Sequence, residues 1–351
     1  MVIPLTVGIC RETAPGEKRV ALVPDLVGAA RTLGIDVLVE SGAGTSARMP
    51  DRLYREAGAG VTTREELFAR CDILVGVRPP VLPAGCRFRR GQVLIALLDP
   101  LSIPFQVRRW ADEGLTTIGL DLAPTALVAA DPRDAAASQD RLAGCEAALL
   151  AADHFGRPLA GTPGPGSPGV ARACVIGSGA AARQAAETLR RLGAQVRVVD
   201  DAAGRQVPPF LLRDVDIVVA AVPFRSGGRS PVLVTVRAMA GMRPGSVVVD
   251  TAAGPDGGNV EGARPESTST TGLGVTVIGA GRLPARFPRA ASAAYARNVT
   301  AVLERIVRDG KLQVDPADPV LAGMVVTHGG LVLHRAVWQL ILDQTALAGL
   351  P

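Results

Sequence analysis

The feature that most constrains this chain is the run Val175-Ile176-Gly177-Ser178-Gly179-Ala180-Ala181-Ala182. An apolar segment precedes it, and an alanine-rich segment with helical spacing follows it, ending near Gly193. The pattern is G-x-G-x-x-A between a strand and a helix. Gly177 permits a tight turn, Gly179 lets the backbone approach a ligand, and Ala182 lets helix and strand pack closely. A helix entered this way presents free amide N–H groups and a positive dipole end to an anion such as a pyrophosphate. The next apolar segment, Val196 to Val199, ends at Asp200 and Asp201. An acid there accepts ribose hydroxyls and repels a 2′-phosphate, so the unit predicts NAD rather than NADP. Ala221 and Val222, Asn259 and Gly279 complete the residues expected around the dinucleotide, with Ser178, Ala180 and Ala181 in the turn itself.

The rest of the pattern predicts an α/β fold with two Rossmann-like parallel-sheet domains. Strands are expected over Leu5–Cys10, Asp36–Glu40, Ile73–Val77, Val93–Leu97 and Thr117–Leu120. A second set runs Cys174–Ile176, Val196–Val199, Ile217–Ala221, Ser246–Asp250 and Val275–Ile278. Strands alternating with helical segments imply parallel sheets. Long helices are expected over Ser138–His154, with Ser138 as N-cap, and over Ser292–Asp309, ending at Gly310. The expected domains are 1–137 with 300–351, and 138–299. After them come a strand, Met324–Thr327, and a terminal helix within Leu331–Leu347. Only 15 residues separate Asp200 from Asp216, too few for another full helix and strand, so the sheet beside the adenine is expected to be abbreviated.

Other chemistries find less support. The five cysteines and three histidines form no Cys-x-x-Cys or His-Glu-x-x-His pattern, so no metal site is expected. The net charge is +5, but the arginines are dispersed and aromatics are only 3%, which argues against a nucleic-acid surface. No apolar run is long enough to span a membrane, and the start Met1-Val2-Ile3-Pro4 reads as a strand rather than a leader, so a cytoplasmic location is expected. Lysine occurs only at Lys18 and Lys311, which leaves little room for lysine chemistry.

Several stretches carry a family resemblance. They are Gly8-Ile9-Cys10-Arg11-Glu12, Glu17-Lys18-Arg19-Val20-Ala21-Leu22-Val23-Pro24 and Val39-Glu40-Ser41-Gly42-Ala43-Gly44. Met242-Arg243-Pro244-Gly245 through Asp250, Gly257-Gly258-Asn259, Val277-Ile278-Gly279 and Leu283-Pro284-Ala285-Arg286 add to them. Together they resemble the alanine dehydrogenases and the NAD(H)-binding alpha subunit of proton-translocating nicotinamide nucleotide transhydrogenase. His154-Phe155-Gly156-Arg157 and Tyr295-Ala296-Arg297-Asn298 look more like the transhydrogenase branch. The resemblance implies that two long helices cross between the domains and that the cleft between them holds the nicotinamide. It also implies a homodimer and a membrane-bound transhydrogenase partner subunit.

The match breaks at positions the family uses for chemistry. Gly76 stands where the resemblance places a lysine, and Leu98-Asp99-Pro100 where alanine dehydrogenases carry a histidine. In the loop that holds the nicotinamide in the transhydrogenase branch, Ala129 and Asp131 replace an arginine and a glutamine. Asp134, Ser138, Gln139 and Arg19 match. Asp99 or Asp134 is then the candidate base and Arg19 the candidate carboxylate anchor. Glu12 lies beside Arg19 in the loop after the first strand, the edge where α/β sheets bind ligands. Three readings stand open: hydride transfer between nicotinamides, an NAD-dependent enzyme on a small amino acid-like or biosynthetic substrate, and a non-catalytic NAD-binding homologue. The apolar tail Leu331-Val332-Leu333 and Val337–Leu342 needs a surface, in a dimer or on the chain's own first domain.

Overall fold

The structure, a computed structural model, describes residues 4–122, 134–162, 164–200, 204–222, 230–255 and 257–347, with residues 345–347 described as backbone only. The chain forms two compact units, Met1–Ser138 with Phe287–Pro351, and Gln139–Arg286.

The first unit opens with strands β1 (Leu5–Ile9), β2 (Ile35–Glu40), β3 (Gly60–Thr62), β4 (Ile73–Val75), β5 (Val93–Ala96) and β6 (Thr116–Gly119). Helices α1 (Val27–Thr32), α2 (Asp51–Glu56), α3 (Arg64–Arg70) and α4 (Pro104–Asp112) connect them. A long helix, α5 (Ala135–His154), leads into the second unit. There, β7 (Arg172–Ile176), α6 (Ala180–Arg191), β8 (Gln195–Val199) and β9 (Ile217–Ala220) precede α7 (Val236–Met239). Strands β10 (Val247–Asp250), β11 (Ser267–Thr270) and β12 (Thr276–Gly279) complete it. The chain returns to the first unit with α8 (Pro288–Ile306), the hairpin β13 (Val307–Arg308) and β14 (Lys311–Leu312), strands β15 (Val325–His328) and β16 (Leu331–Val332), and α9 (Arg335–Leu347).

The first sheet has the order β16-β15-β6-β5-β4-β1-β2-β3 and the second β11-β12-β10-β9-β7-β8. Pairing is parallel from β3 to β6 and from β12 to β8, with antiparallel edges at β15, β16 and β11. Both faces are covered, so the strands are continuous apolar runs whose alternate residues enter different cores. Ile73, Val75, Val93 and Ile95 join one core with Tyr295, Val299 and Leu303 of α8. Leu74, Leu94 and Ala96 join the other with Phe68, Trp110, Val337 and Ile341. In the second unit Val175 and Val219 pack with Ala147 and Ala151 of α5, while Cys174 and Val218 pack with Met239 and Met242.

Two expectations need correction, and one left open is decided. The second crossing falls between Arg286 and Phe287 rather than at residue 300, because α8 buries Tyr295, Ala296 and Val299 in the first unit's core. Helix α5 starts before Ser138: the Asp134 carboxylate accepts the Ala137 amide at 2.8 Å, as a cap does. The tail folds on its own unit, burying Val337 and Ile341 beside α4, although Leu331 stays exposed. The abbreviated region is as expected: among the described residues, one short turn, Pro209–Leu211, lies between β8 and β9, and the edge strand leaves Val198 44% exposed.

One buried contact ties α8 to the sheet. The Tyr295 hydroxyl donates to the Gly76 carbonyl at 2.9 Å, and Tyr295 is fully buried. Tyr295→Phe is expected to lower the stability of this unit by about 1–3 kcal/mol, the cost of an unpaired buried carbonyl. Urea unfolding followed by tryptophan fluorescence checks it, since both tryptophans, Trp110 and Trp338, lie in this unit.

Candidate functional site

In the second unit the turn after β7 is built as the sequence predicts. Gly177 has φ 124°, and a Cβ there would stand 2.6 Å from the Ala221 carbonyl oxygen. Its amide donates to Val199 O at 2.9 Å, and the Ala221 amide donates to Ile176 O at 2.9 Å, so the turn is pinned between neighbouring strand ends. Gly179 is the N-cap residue of α6, with extended backbone and no side chain capping the helix. A Cβ on Gly179 would meet nothing within 4 Å. The first-turn amides of Ala180, Ala181 and Ala182 have no intrahelical acceptor, and no acidic residue occupies that turn. Open space before uncapped amides is what a pyrophosphate requires. Ala182 is fully buried and Ala181 nearly so, which fits close helix–strand packing.

Asp200 follows β8 and is exposed, where ribose hydroxyls can reach it. Asp201 lies outside the described residues.

Helix α5 presses on this turn. A Cβ on Gly144 would fall on the Ala181 carbonyl oxygen, so only glycine permits the approach. Asn259 is held by neighbouring loop backbone. It is fully buried; its Oδ1 accepts the Val222 amide at 3.0 Å and its Nδ2 donates to Pro231 O at 3.1 Å. It therefore positions Val222 with both ends of its side chain committed. Gly279 is a packing glycine, because a Cβ there would land on the Arg264 carbonyl oxygen.

Sequence reasoning missed Asp250. It is fully buried and accepts the Ala252 amide at 2.8 Å and the Val260 amide at 2.9 Å. Burial raises its carboxyl above the usual range against the pull of those amides. It fixes the loop that carries Asn259, and through it Val222. An acid closing a strand was the available signal, but its partners are named only by the folded loop.

The first unit gathers a polar cluster at the carboxyl ends of β1, β2 and β4. The Glu12 carboxylate accepts the Val77 amide at 2.6 Å and the Arg78 amide at 3.2 Å. Burial is the main reason its pKa is raised from 4.5 to about 7, with the Glu17 charge adding to the shift. Arg19 is 4% exposed, and it donates to Glu17 through Nε at 2.7 Å and Nη2 at 2.6 Å. Burial pushes Glu17 up, but the bonds and charge of Arg19 outweigh it, and the carboxyl ends below its ordinary range. The expected carboxylate anchor thus already holds a carboxylate of its own chain. A cavity of about 530 Å³ is lined by Arg11, Glu12, Glu17 and Arg19 with Gly42 and Thr45.

Gly76 is not an empty lysine position. A Cβ there would stand 2.6 Å from the Arg78 carbonyl and 3.4 Å from Glu12 Oε1. Asp99 has φ 44°, and its amide and that of Leu98 donate to the Asp121 carboxylate at 2.7 and 2.8 Å. Asp134 is the cap of α5. The Ser138 hydroxyl lies within hydrogen-bonding distance of Asn298 Oδ1, at 2.8 Å, and Gln139 is buried. Positions 129 and 131 lie outside the described residues. The structure therefore brings Glu12, Glu17 and Arg19 together, gives Asp99 to a strained turn and gives Asp134 to a helix end.

Known proteins match along most of the chain. Residues 8–133 match the family model of the alanine dehydrogenase/PNT N-terminal domain, and residues 210–335 that of the alanine dehydrogenase/PNT C-terminal domain. The NAD(P) transhydrogenase subunit alpha of Cereibacter sphaeroides is 30% identical over 93% of this chain and 71% of its own length. The alanine dehydrogenase of Mycolicibacterium smegmatis is 29% identical over 95% of this chain and 96% of its own. Among solved structures, a transhydrogenase from Sinorhizobium meliloti superposes with a TM-score of 0.84 at 33% identity, covering 93% of this chain and 99% of that one. With two domain models covering more than half of its residues and a fold shared with these relatives, the chain belongs to the alanine dehydrogenase/PNT family.

Proposed function

We propose that this chain binds NAD(H) at the Gly177–Asp200 unit and serves as a transhydrogenase-type subunit passing hydride between nicotinamides. The observation that carries the reading is the uncapped start of α6 facing open space beside Gly177 and Gly179, with Asp200 at the end of the next strand. Bound nicotinamide supplies the hydride; the protein supplies position. Gly177 keeps the turn low, the amides of Ala180–Ala182 take the pyrophosphate, and Asn259 and Asp250 hold the Val222 loop beside it. Such a transfer needs alignment rather than a protein acid or base. That suits a chain in which Asp134 is a cap, Arg19 is paired and position 76 excludes a side chain. The reading includes a membrane-bound, NADP(H)-binding partner subunit, a homodimer and a cytoplasmic location.

A second reading, an NAD-dependent dehydrogenase of a small substrate, is favoured by one observation: Glu12, with a pKa of about 7, lines a cavity large enough for a small molecule. Two assays separate them. Mixed with a transhydrogenase NADP(H)-binding partner, the chain should reduce an NADP analogue from NADH; turnover of pyruvate and ammonia by the chain alone, with no transfer, would favour the second.

Asp200→Ser is expected to weaken NADH binding about tenfold and to narrow the preference over NADPH, as loss of ribose hydrogen bonds predicts. Nicotinamide fluorescence titrations with both nucleotides check it.

A further inference from the structure

A second cavity lies at the opposite edge of the first sheet, where β5 and β6 begin and β15 ends. It holds about 460 Å³, within the range of small-molecule sites. None of its lining residues is acidic. The carboxyl-edge cluster around Glu12 shares no residue with it.

Its polar wall consists largely of donors. Arg90 lies over Gly114: a Cβ on Gly114 would stand 3.1 Å from the Arg90 Cζ and from its Nη1. Among the described residues Arg90 has no ion pair. The His328 ring touches Thr116, with Nδ1 3.1 Å from Thr116 Oγ1, which leaves Nε2 for another partner. Immediately after it, Gly329 and Gly330 turn the chain from β15 into β16 with φ 60° and 85°. In a two-residue turn of this kind the central amides are not consumed by the strand ladder. Among the described residues neither glycine amide has an acceptor. Consecutive free amides beside a guanidinium and an imidazole form an anion-binding concavity. The lining also includes the apolar Val93, Leu312 and Val314.

We propose that this cavity binds a phosphate monoester with a small apolar body. The guanidinium fork, the imidazole and the two amides together offer more donors than the two oxygens of a carboxylate use, which suits the three peripheral oxygens of a phosphate better. Val93, Leu312 and Val314 take the organic part. The nucleotide turn belongs to the other unit.

Calorimetric titration of the full chain with phenyl phosphate, inorganic phosphate and benzoate tests the proposal. Phenyl phosphate should bind saturably, inorganic phosphate more weakly and benzoate weakest. Arg90→Gln and His328→Gln should each weaken phenyl phosphate about tenfold while leaving urea unfolding followed by tryptophan fluorescence unchanged, which shows that the first unit, home of Trp110 and Trp338, still folds. Absence of saturable binding, equal binding of benzoate, or phenyl phosphate binding indifferent to both substitutions would overturn it.

Discussion

Gly144→Ala is expected to weaken NADH binding by about fivefold to a hundredfold. The added methyl would fall on the Ala181 carbonyl oxygen, which is backbone and cannot rotate away. Helix α5 must move outward or the first turn of α6 must tilt. Overpacking of this kind costs about 1–3 kcal/mol, and each 1.4 kcal/mol taken from the bound geometry is a factor of ten in affinity. In helix interiors alanine normally stabilises relative to glycine by up to about 1 kcal/mol, so propensity alone predicts a gain. A titration of nicotinamide fluorescence, with circular dichroism to verify the helices, distinguishes the two. Unchanged affinity would mean that α5 does not set the turn.

Glu12→Gln is expected to abolish the pH dependence that Glu12 gives the first unit's stability. In the folded chain the Glu12 carboxyl titrates at about 7 instead of 4.5. A raised acid pKa means that the folded state binds the proton more tightly than the unfolded state. The resulting stabilisation is fully present below pH 4.5 and is lost as the pH rises through 7. The shift amounts to about 2–3 kcal/mol after allowance for the partial exposure of the group. Glutamine removes the titration and keeps an oxygen for the Val77 amide, though the Arg78 amide loses its acceptor. The variant should therefore be less stable than the parent at pH 5 and gain on it steadily towards pH 8. Urea unfolding at both values checks this, and parallel pH profiles for the two proteins would contradict it.

What could be read from the sequence was local. The Gly177–Asp200 unit is contiguous, and each residue's part follows from its place in a strand, turn or helix. The long strands were equally plain, because parallel strands covered on both faces are unbroken apolar runs. The missed pieces were β3, β11 and the two-residue strands β13, β14 and β16, too short for any period to show.

The candidate site was legible only where partners are neighbours in sequence, and not always then. Arg19 and Glu17 are two residues apart, yet only the folded loop turns them to face each other. Asn259 binds the Val222 amide across 37 positions, and Tyr295 reaches Gly76 across 219. Gly76 illustrates the limit most clearly. In sequence it is a lost lysine; in structure the Arg78 carbonyl occupies the space a side chain would need. Gly76→Lys alone would therefore displace the loop that Glu12 holds rather than add a carboxylate anchor.

The most direct test of the central claim is a titration of the chain with NADH, followed by nicotinamide fluorescence, in parallel with a Gly177→Val variant. Saturable binding with Kd between about 1 µM and 1 mM, lost in the variant, is the expected result. No saturation at millimolar NADH, or equal binding by the variant, would contradict the assignment of the Gly177–Asp200 unit to a dinucleotide.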